Sequence, residues 1–305
     1  MTVVVGIDPL ARSHAALDLA VGVVRTLPEP SGPWTLVVAA VVPPAWSASL
    51  SRRADLERLA RERFDELDRD VRAYLAGWAD ELQVELVHRR ARSVSRELAL
   101  VAQEREAAAL VVGSSRESRP GRASVGSTAD YLLHSSPVPV TVAPRGYRVE
   151  HVASTDVPTR RLTAAYSGTS ADAPAVRWAA EVTREIEVAL RVASFGVRAG
   201  DMYPPEAGLD IEALVDEQWG QQMTEAQSAL RRSLGLGAEV ETVVASGPSW
   251  EASLGSVDWL PGEVLVVSSS TGGTLRRVFL GARAAKILRH APVPVLVVPR
   301  PPGAR

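Results

Sequence analysis

Residues 132–145 read LLHSSPVPVTVAPR, and residues 287–300 read ILRHAPVPVLVVPR. The two stretches align without a gap at an offset of 155 residues (294 minus 139 for the central prolines). Upstream, residues 109–113 (ALVVG) match residues 264–268 (VLVVS) at the same offset. Because 155 residues is the length of an ordinary domain, the sequence predicts two homologous halves.

The first half alternates short apolar runs with longer amphipathic stretches. The runs are rich in Val and Leu and too short for helices, so they predict strands. The amphipathic stretches carry apolar residues at spacings of three to five, which predicts helices. Strands that alternate with helices build a parallel sheet with helices on both faces, which is the α/β class. The predicted strands are 2–7, 35–42, 82–88, 108–113 and 138–143, and the helices are 11–26, 50–80 and 93–106.

The second half repeats this order, and the segment between the halves lacks a consistent apolar period. We therefore expect a first domain at 1–146, a linker at 147–159 and a second domain at 160–305. The predicted strands of the second half are 160–166, 187–195, 238–245, 263–267 and 293–298, and its helices are 172–186, 208–233, 249–258 and 280–290.

Composition excludes several classes of function. The 305 residues are 46% apolar and 23% charged, as in a folded globular protein, and the formal net charge of -2 argues against a nucleic-acid partner. Cysteine is absent, which excludes thiol catalysis and thiolate metal sites. Lys286 is the only lysine, and it lies in a predicted helix, so the Gly-Lys-Ser/Thr of a Walker loop is missing.

Location and metal binding are also constrained by the sequence. The most apolar stretch, 34–42, is too short to span a bilayer, and the N-terminus shows no secretory signal, so we expect a cytoplasmic protein without a membrane partner. The five histidines show no ligand spacing, and no metal site is predicted. The histidines are His14, His88, His134, His151 and His290.

The loop after the fourth strand carries the strongest chemical signal. Ligands of open parallel sheets bind beyond the carboxyl ends of the strands, where strand order reverses. Residues 113–128 offer arginines, hydroxyls and glycines, and Gly126, Ser127 and Thr128 precede a predicted helix. A helix N-terminus favours phosphate, but such a loop is equally consistent with a solvated connection that only caps the helix.

These residues resemble a known family. Gly113 is separated by twelve residues from Gly126-Ser127, and the Pro-Val strand follows, as in the universal stress protein family. Residues 3–20 (VVVGIDPLARSHAALDLA) resemble the opening strand and helix of that family, and the likeness spans nearly the whole chain as a tandem pair. The resemblance implies two tandem Rossmann-like domains of the adenine nucleotide alpha hydrolase type. Each would have a five-stranded parallel sheet in order 3-2-1-4-5 with helices on both faces.

The resemblance also implies ATP as the ligand and leaves open a divalent cation such as magnesium with it. Asp8 would accept hydrogen bonds from adenine or ribose, and the backbone of Val41 would meet the base. The phosphates and ribose would be cradled by Gly113, Gly126, Ser127 and Thr128. The second glycine of the motif is Arg116 here, which adds positive charge but removes the close backbone approach that glycine allows.

The second half departs further from the motif. Ser268 and Thr271 replace the early glycines, Ala282 replaces the hydroxyl residue, and Ser167 stands where the Asp is expected. We therefore expect ATP to bind poorly there or not at all. Residues 268–274, with Arg276 and Arg277, leave open a site for a smaller anion.

The leading hypothesis is a stress-response sensor or regulator that binds an adenine nucleotide in its first half and is not an enzyme. The first alternative is an interaction scaffold without nucleotide, in which the halves form an intramolecular pseudo-dimer through their final strands; a homodimer is also open. The second alternative is a slow phosphohydrolase or nucleotidyl-transfer enzyme, and weak ATP hydrolysis remains open. The four tryptophans of the second half, Trp178, Trp219, Trp250 and Trp259, are predicted to be packing residues.

Overall fold

The computed structural model of the chain describes residues 2–9, 13–26, 34–42, 50–115, 119–121, 125–148, 161–198, 209–269 and 281–298. Most of the predicted linker, residues 149–159, lies outside these ranges, as do Arg116 and the residues 270–280 of the predicted anion loop.

The first half alternates strands and helices from one end to the other. Its elements are β1 (Thr2–Ile7), α1 (Ala15–Thr26), β2 (Trp34–Val42), α2 (Leu50–Tyr74), β3 (Leu82–Arg90), α3 (Val94–Glu104), β4 (Ala109–Gly113), α4 (Ser127–Ser135) and β5 (Val140–Ala143). The amphipathic stretch 50–80 was predicted as a single helix, but α2 ends at Tyr74 and a 3₁₀ turn follows at Ala76–Trp78. The turn buries the indole of Trp78, over which the Arg25 guanidinium lies at 4.8 Å.

The second half repeats the order. Its elements are β6 (Arg161–Ala165), α5 (Ala173–Glu185), β7 (Ala189–Val197), α6 (Leu209–Leu234), β8 (Glu241–Gly247), α7 (Trp250–Gly255), β9 (Glu263–Ser268), α8 (Ala282–His290) and β10 (Val295–Val298). Two pairs of elements keep the offset read from the sequence, because α4 and α8, and β5 and β10, begin 155 residues apart (282 minus 127, 295 minus 140).

The ten strands form one sheet in the order β3-β2-β1-β4-β5-β10-β9-β6-β7-β8. All neighbours are parallel except β5 and β10, which pair antiparallel with Thr141 opposite Leu296. These two strands are the Pro-Val segments of the repeat. The α/β class is therefore confirmed, and the two halves share a continuous sheet.

Helices cover both faces of this sheet, and three apolar clusters fill the space between. One cluster packs α1 and α2 on the first five strands, and a second packs α5 and α6 on the last five. The third cluster lies on the opposite face and joins residues of both halves, from Leu98 in α3 to Leu288 in α8. This packing fixes the carboxyl ends of the strands, where the predicted site lies.

Local sequence explains where several helices begin. Ser93 precedes α3 and its hydroxyl accepts a hydrogen bond from the Arg96 N–H at 3.3 Å. Ser249 precedes α7 and accepts one from the Ala252 N–H at 3.2 Å. Such caps satisfy backbone donors that the first turn of a helix leaves unpaired. In contrast, α4 and α8 begin after glycine, which has no side chain to cap the helix.

Candidate functional site

The predicted site of the first half lies where β1 and β4 end. These strands are adjacent and parallel, with Gly6 opposite Val112. Asp8 follows β1 and is exposed, and Gly113 is the exposed last residue of β4. Neighbouring parallel strands end at the same edge of a sheet, so the carboxylate and the glycine share that edge.

Val41 lies near the end of β2, the other neighbour of β1. Its side chain is buried in the cluster that contains Leu98 and Val101 of α3. A ligand at the strand ends could therefore meet the backbone of this residue but not its isopropyl group.

The loop after β4 is tied to the end of β5. Both the N–H and the hydroxyl of Ser114 donate to the Ala143 carbonyl, at 3.1 and 2.6 Å, and the Gly121 N–H donates to the Arg145 carbonyl at 2.9 Å. These bonds hold the start of the loop, next to Gly113, in one position. Arg116, three residues after Gly113, lies outside the described residues.

The start of α4 faces the same loop. Gly126 is the cap residue, in extended conformation with φ -80° and ψ 169°, and no side chain caps the helix within the described residues. A Cβ on Gly126 would stand 3.6 Å from the Ser115 Cβ, so the helix start packs beside the loop. In the part of the chain that the structure describes, neither the Ser127 nor the Thr128 hydroxyl has a hydrogen-bond partner. N–H groups of a first turn and two hydroxyls are donors suited to an anion.

The second half also has a carboxylate at the corresponding edge of the sheet. The position-by-position comparison with the family motif did not identify it. Ser167 follows β6 in place of the expected Asp, but its N–H donates to Asp172 Oδ2 at 2.9 Å and its hydroxyl donates to the same oxygen. Asp172 precedes α5, and its charge together with burial raises the pKa of Tyr166, burial being the larger cause. The signal in the sequence is an Asp at the start of the predicted helix 172–186, where Asp is common.

A cavity of about 250 Å³ opens at this edge. It lies between the ends of β6 and β9 and the start of α8, and Gly281 precedes that helix as Gly126 precedes α4. Its polar lining residues include Ser167, Thr169, Asp172, Ser268, Ser269 and Arg283.

The second half also differs at the end of β7. The strand registers pair Val41 with Phe195 and Val42 with Gly196, and the indole of Trp219 lies on that glycine. A Cβ on Gly196 would stand 2.7 to 2.9 Å from three carbons of the indole ring, closer than atoms pack. The residue next to the counterpart of Val41 is therefore covered by a side chain in this half, an obstruction that the motif comparison did not reveal.

The tryptophans do act as packing residues, but with specific partners. Trp259 donates its indole N–H to the Leu254 carbonyl at 2.7 Å and lies under the Arg191 guanidinium. Trp178 and Trp250 pack against the apolar clusters, and Trp219 covers Gly196.

Histidines have ordinary structural partners. His14 Nε2 lies 2.7 Å from Asp70 Oδ2, and His88 Nε2 lies 2.8 Å from Asp68 Oδ1 while its ring stacks on Phe64. Among the residues with described positions, no group of three or more His, Asp or Glu side chains could hold a metal ion. In the same ranges, no helix is long and apolar enough to cross a membrane.

Comparison with known proteins agrees with the architecture. The family model of the universal stress protein family matches twice, at residues 1–144 and 158–299. Universal stress proteins of Mycobacterium tuberculosis and Mycobacterium bovis are each 41% identical over 301 residues, which cover 98% of this chain and 100% of theirs.

The fold is also found among solved structures. A universal stress protein from Archaeoglobus fulgidus superposes with a TM-score of 0.60 at 16% identity, covering 99% of this chain and 97% of that one. The family model matches the chain twice, and the relatives are similar over their full length. Both findings point to the same family. The chain therefore belongs to the universal stress protein family, with the family's unit present twice.

Proposed function

We propose that the chain binds an adenine nucleotide in its first half, with ATP as the leading candidate, and acts as a stress-response sensor or regulator rather than an enzyme. The observation that carries this proposal is the uncapped start of α4, at Gly126-Ser127-Thr128, packed beside the loop that leaves β4. A negatively charged ligand is favoured there by backbone N–H groups and by the helix dipole.

Each residue of the proposed site has a distinct task. Asp8, exposed after β1, would accept hydrogen bonds from hydroxyl or amino groups of the nucleoside, and the backbone of Val41 would contact the base. Gly113 lets the ligand approach the end of β4 closely, while Ser127 and Thr128 donate to the phosphates. Arg116 would add positive charge. A divalent cation such as magnesium would enter with the phosphates, as Mg²⁺ commonly does.

The direct test is calorimetric titration of the purified chain with ATP in the presence of magnesium. We expect one site per chain, weakened about tenfold by Asp8→Ala, because a hydrogen bond to a charged group is worth roughly 1.5 to 3 kcal/mol. Gly126→Ala should also weaken binding by placing a methyl group against the phosphates. Asp80→Ala and Gly77→Ala, changes at an exposed carboxylate and an unobstructed glycine elsewhere, are the matched controls.

The titration also distinguishes the other functions. Two equal sites per chain would contradict the assignment to the first half alone. Release of phosphate well above a control without protein would indicate instead that the protein is an enzyme that hydrolyses ATP.

We place the protein in the cytoplasm, where ATP is available. We propose domains at 1–146 and 160–305, joined by a linker at 147–159.

A scaffold is the second candidate, and the antiparallel pairing of β5 with β10 favours it. In that function the two halves would act as an intramolecular pseudo-dimer joined through the Pro-Val strands, which pair in the sheet. Absence of ATP binding at millimolar concentration would leave this function ahead. Light scattering on the purified chain would then show whether it also forms a homodimer.

A further inference from the structure

A second cavity of the second half lies outside the set of residues that the nucleotide motif names. It has a volume of about 470 Å³, within the range of small-molecule sites. It lies beyond the end of β7, between α6 and the first turns of α7 and α8. It shares Phe195 and Arg283 with the smaller cavity at the ends of β6 and β9, so the two are neighbours. We call it the tryptophan cavity.

Two indoles and two exposed valines form its apolar walls. Trp219 of α6 and Trp250, the first residue of α7, both line the cavity. Val197 and Val215 also line it and are 39% and 40% exposed, so apolar surface faces the opening. Large aromatic walls with an open apolar mouth suit a flat, apolar ring.

The indole of Trp219 packs against Gly196. Three carbons of the indole ring stand where a side chain at Gly196 would be, so the ring rests directly on the β7 backbone. Trp250 packs against the apolar cluster shared by the two halves. Each ring therefore already packs against the protein on one side, which lowers the ordering cost of binding.

The charges that line the cavity leave a surplus of cations. Arg198 and Asp216 pair with each other, with Nε and Oδ2 3.3 Å apart, and Asp216 also accepts a hydrogen bond from the Ser246 hydroxyl at 2.9 Å. Arg283 and Lys286 lie one turn apart on α8, and neither has an ion-pair partner among the described residues. Lys286, the only lysine of the chain, is thus one of two positive charges at the cavity without a described counter-ion.

We propose that the tryptophan cavity binds a small aromatic anion, a planar ring that carries one carboxylate, sulfonate or similar group. The ring would lie against Trp219 and Trp250, and the anionic group would be met by Arg283 and Lys286. A guanidinium or ammonium contact to an anion is a strong, charge-assisted hydrogen bond. This proposal is independent of nucleotide binding in the first half.

The test is calorimetric titration with naphthalene-2-sulfonate, compared with naphthalene-2-sulfonamide, which keeps the ring but has no charge. We expect the sulfonate to bind one site per chain and the sulfonamide to bind at least tenfold more weakly, because the charge-assisted contact is lost. Lys286→Gln and Arg283→Gln should each weaken the sulfonate about tenfold. Trp250→Leu should weaken both compounds by a similar factor.

Arg289→Gln is the matched control, because Arg289 is an exposed cation on the same helix and does not line the cavity. It should leave both affinities unchanged, and thermal unfolding of every variant checks that the fold is kept. Equal binding of the two compounds, or an equal loss from Arg289→Gln, would overturn the proposal. Displacement of the sulfonate by ATP would also overturn it, since the cavity would then be a nucleotide site.

Discussion

Arg191 and Glu263 form an ion pair inside the second half, with Nη2 and Oε1 2.5 Å apart and side chains only 2% and 0% exposed. The Thr163 hydroxyl accepts from Arg191 Nε at 3.0 Å and donates to the same carboxylate. Arg161 Nη2 donates to the second oxygen of Glu263 at 2.8 Å. Glu263 therefore compensates two arginines at the beginning of the strands, the edge opposite the candidate sites.

The first half has apolar residues at the matching place. The strand registers place Val37 of β2 where β7 has Arg191, and Val37 lies opposite Val4 with both side chains buried. The same strand arrangement forms with apolar residues in the first half and with the ion pair in the second. The topology therefore does not require the ion pair. It is, however, costly to break, because Arg191 stays buried and its nearest remaining carboxylate among the described residues is that of the half-exposed Glu241, at 3.6 Å.

We predict that Glu263→Leu lowers the free energy of unfolding by about 3 to 5 kcal/mol. The double variant Arg191→Leu with Glu263→Leu should lose less, because it restores the apolar character of the first half. Urea unfolding followed by circular dichroism measures both. Glu241→Gln, at an exposed partner of the same arginines, should cost less than about 1 kcal/mol. If the double variant lost as much free energy of unfolding as Arg191→Leu and Glu263→Leu lose together, charge compensation between the two residues would not explain the cost.

A second prediction concerns the glycine beneath Trp219. Gly196→Ala forces the indole of Trp219 to move, since the added Cβ would stand 2.7 to 2.9 Å from its ring carbons. We expect a loss of about 1 to 3 kcal/mol in the free energy of unfolding, as for other overpacked sites. Trp219→Leu in the Gly196→Ala background should recover part of the loss.

Gly220 supplies the control for that experiment. It lies in the interior of α6, next to Trp219, and nothing stands within 4 Å of an added Cβ. Gly220→Ala should therefore stabilise the protein by roughly 0.5 to 1 kcal/mol, because alanine loses less backbone entropy in a helix. If Gly220→Ala lowered the free energy of unfolding as much as Gly196→Ala does, any substitution in this part of the structure would be destabilising. The contact between Trp219 and Gly196 would then not explain the loss.

The elements of the fold were predictable because the periodicity is clear and appears twice. Strand β7 was expected from its Val-rich run although Arg191 interrupts it, since one polar residue does not change the period. The sequence predicted a join of the two halves through their final strands as part of the scaffold alternative, but not that β5 and β10 pair antiparallel. Pairing between chain segments 155 residues apart leaves no local signal, and only the apolar character of both faces of the Pro-Val strands hinted at burial inside a sheet.

The site was predictable only in part. Asp8, Gly113 and Gly126 were predicted from the residues at strand ends and helix starts, and the structure places Asp8 and Gly113 at one edge of the sheet. Asp172 was missed because its carboxylate reaches Ser167 across a turn of five residues, which no motif spacing describes. The contact between Trp219 and Gly196 was missed for a different reason, because it depends on how α6 packs over β7.

Gly126 offers a third prediction, which separates binding from folding. Its φ of -80° suits any residue, and an added Cβ would make only an ordinary contact with Ser115 at 3.6 Å. Gly126→Ala should therefore change the free energy of unfolding by less than about 0.5 kcal/mol, as at most surface sites. Urea unfolding without nucleotide measures this. Any loss of ATP affinity in the same variant then reports on the approach of the phosphates, whereas a large loss of stability would remove that interpretation.

The last prediction concerns alkaline pH. Burial raises the pKa of Tyr74, and its hydrogen bond to Asp18 Oδ2 at 2.8 Å raises it further. Burial, with a nearby carboxylate as the smaller cause, likewise raises the pKa of Tyr147 and Tyr166. A phenol with a raised pKa in the folded state stabilises that state fully below its unfolded pKa of about 10, and this contribution is lost as the pH rises through the folded pKa.

We therefore expect the free energy of unfolding to fall as the pH is raised from 9 to above 10, when urea unfolding is measured at fixed ionic strength. The composition makes this experiment unusually direct, because the chain has one lysine and no cysteine, and tyrosine is then the main group that titrates in this interval. Tyr74→Phe should flatten the decline, since one of the shifted phenols is removed. Tyr131→Phe, at a ring that is 45% exposed, should keep the slope of the unmodified protein. An unchanged slope in Tyr74→Phe would show that its bond to Asp18 contributes nothing to the alkaline limit of stability, and the decline would then have to arise from Tyr147 and Tyr166.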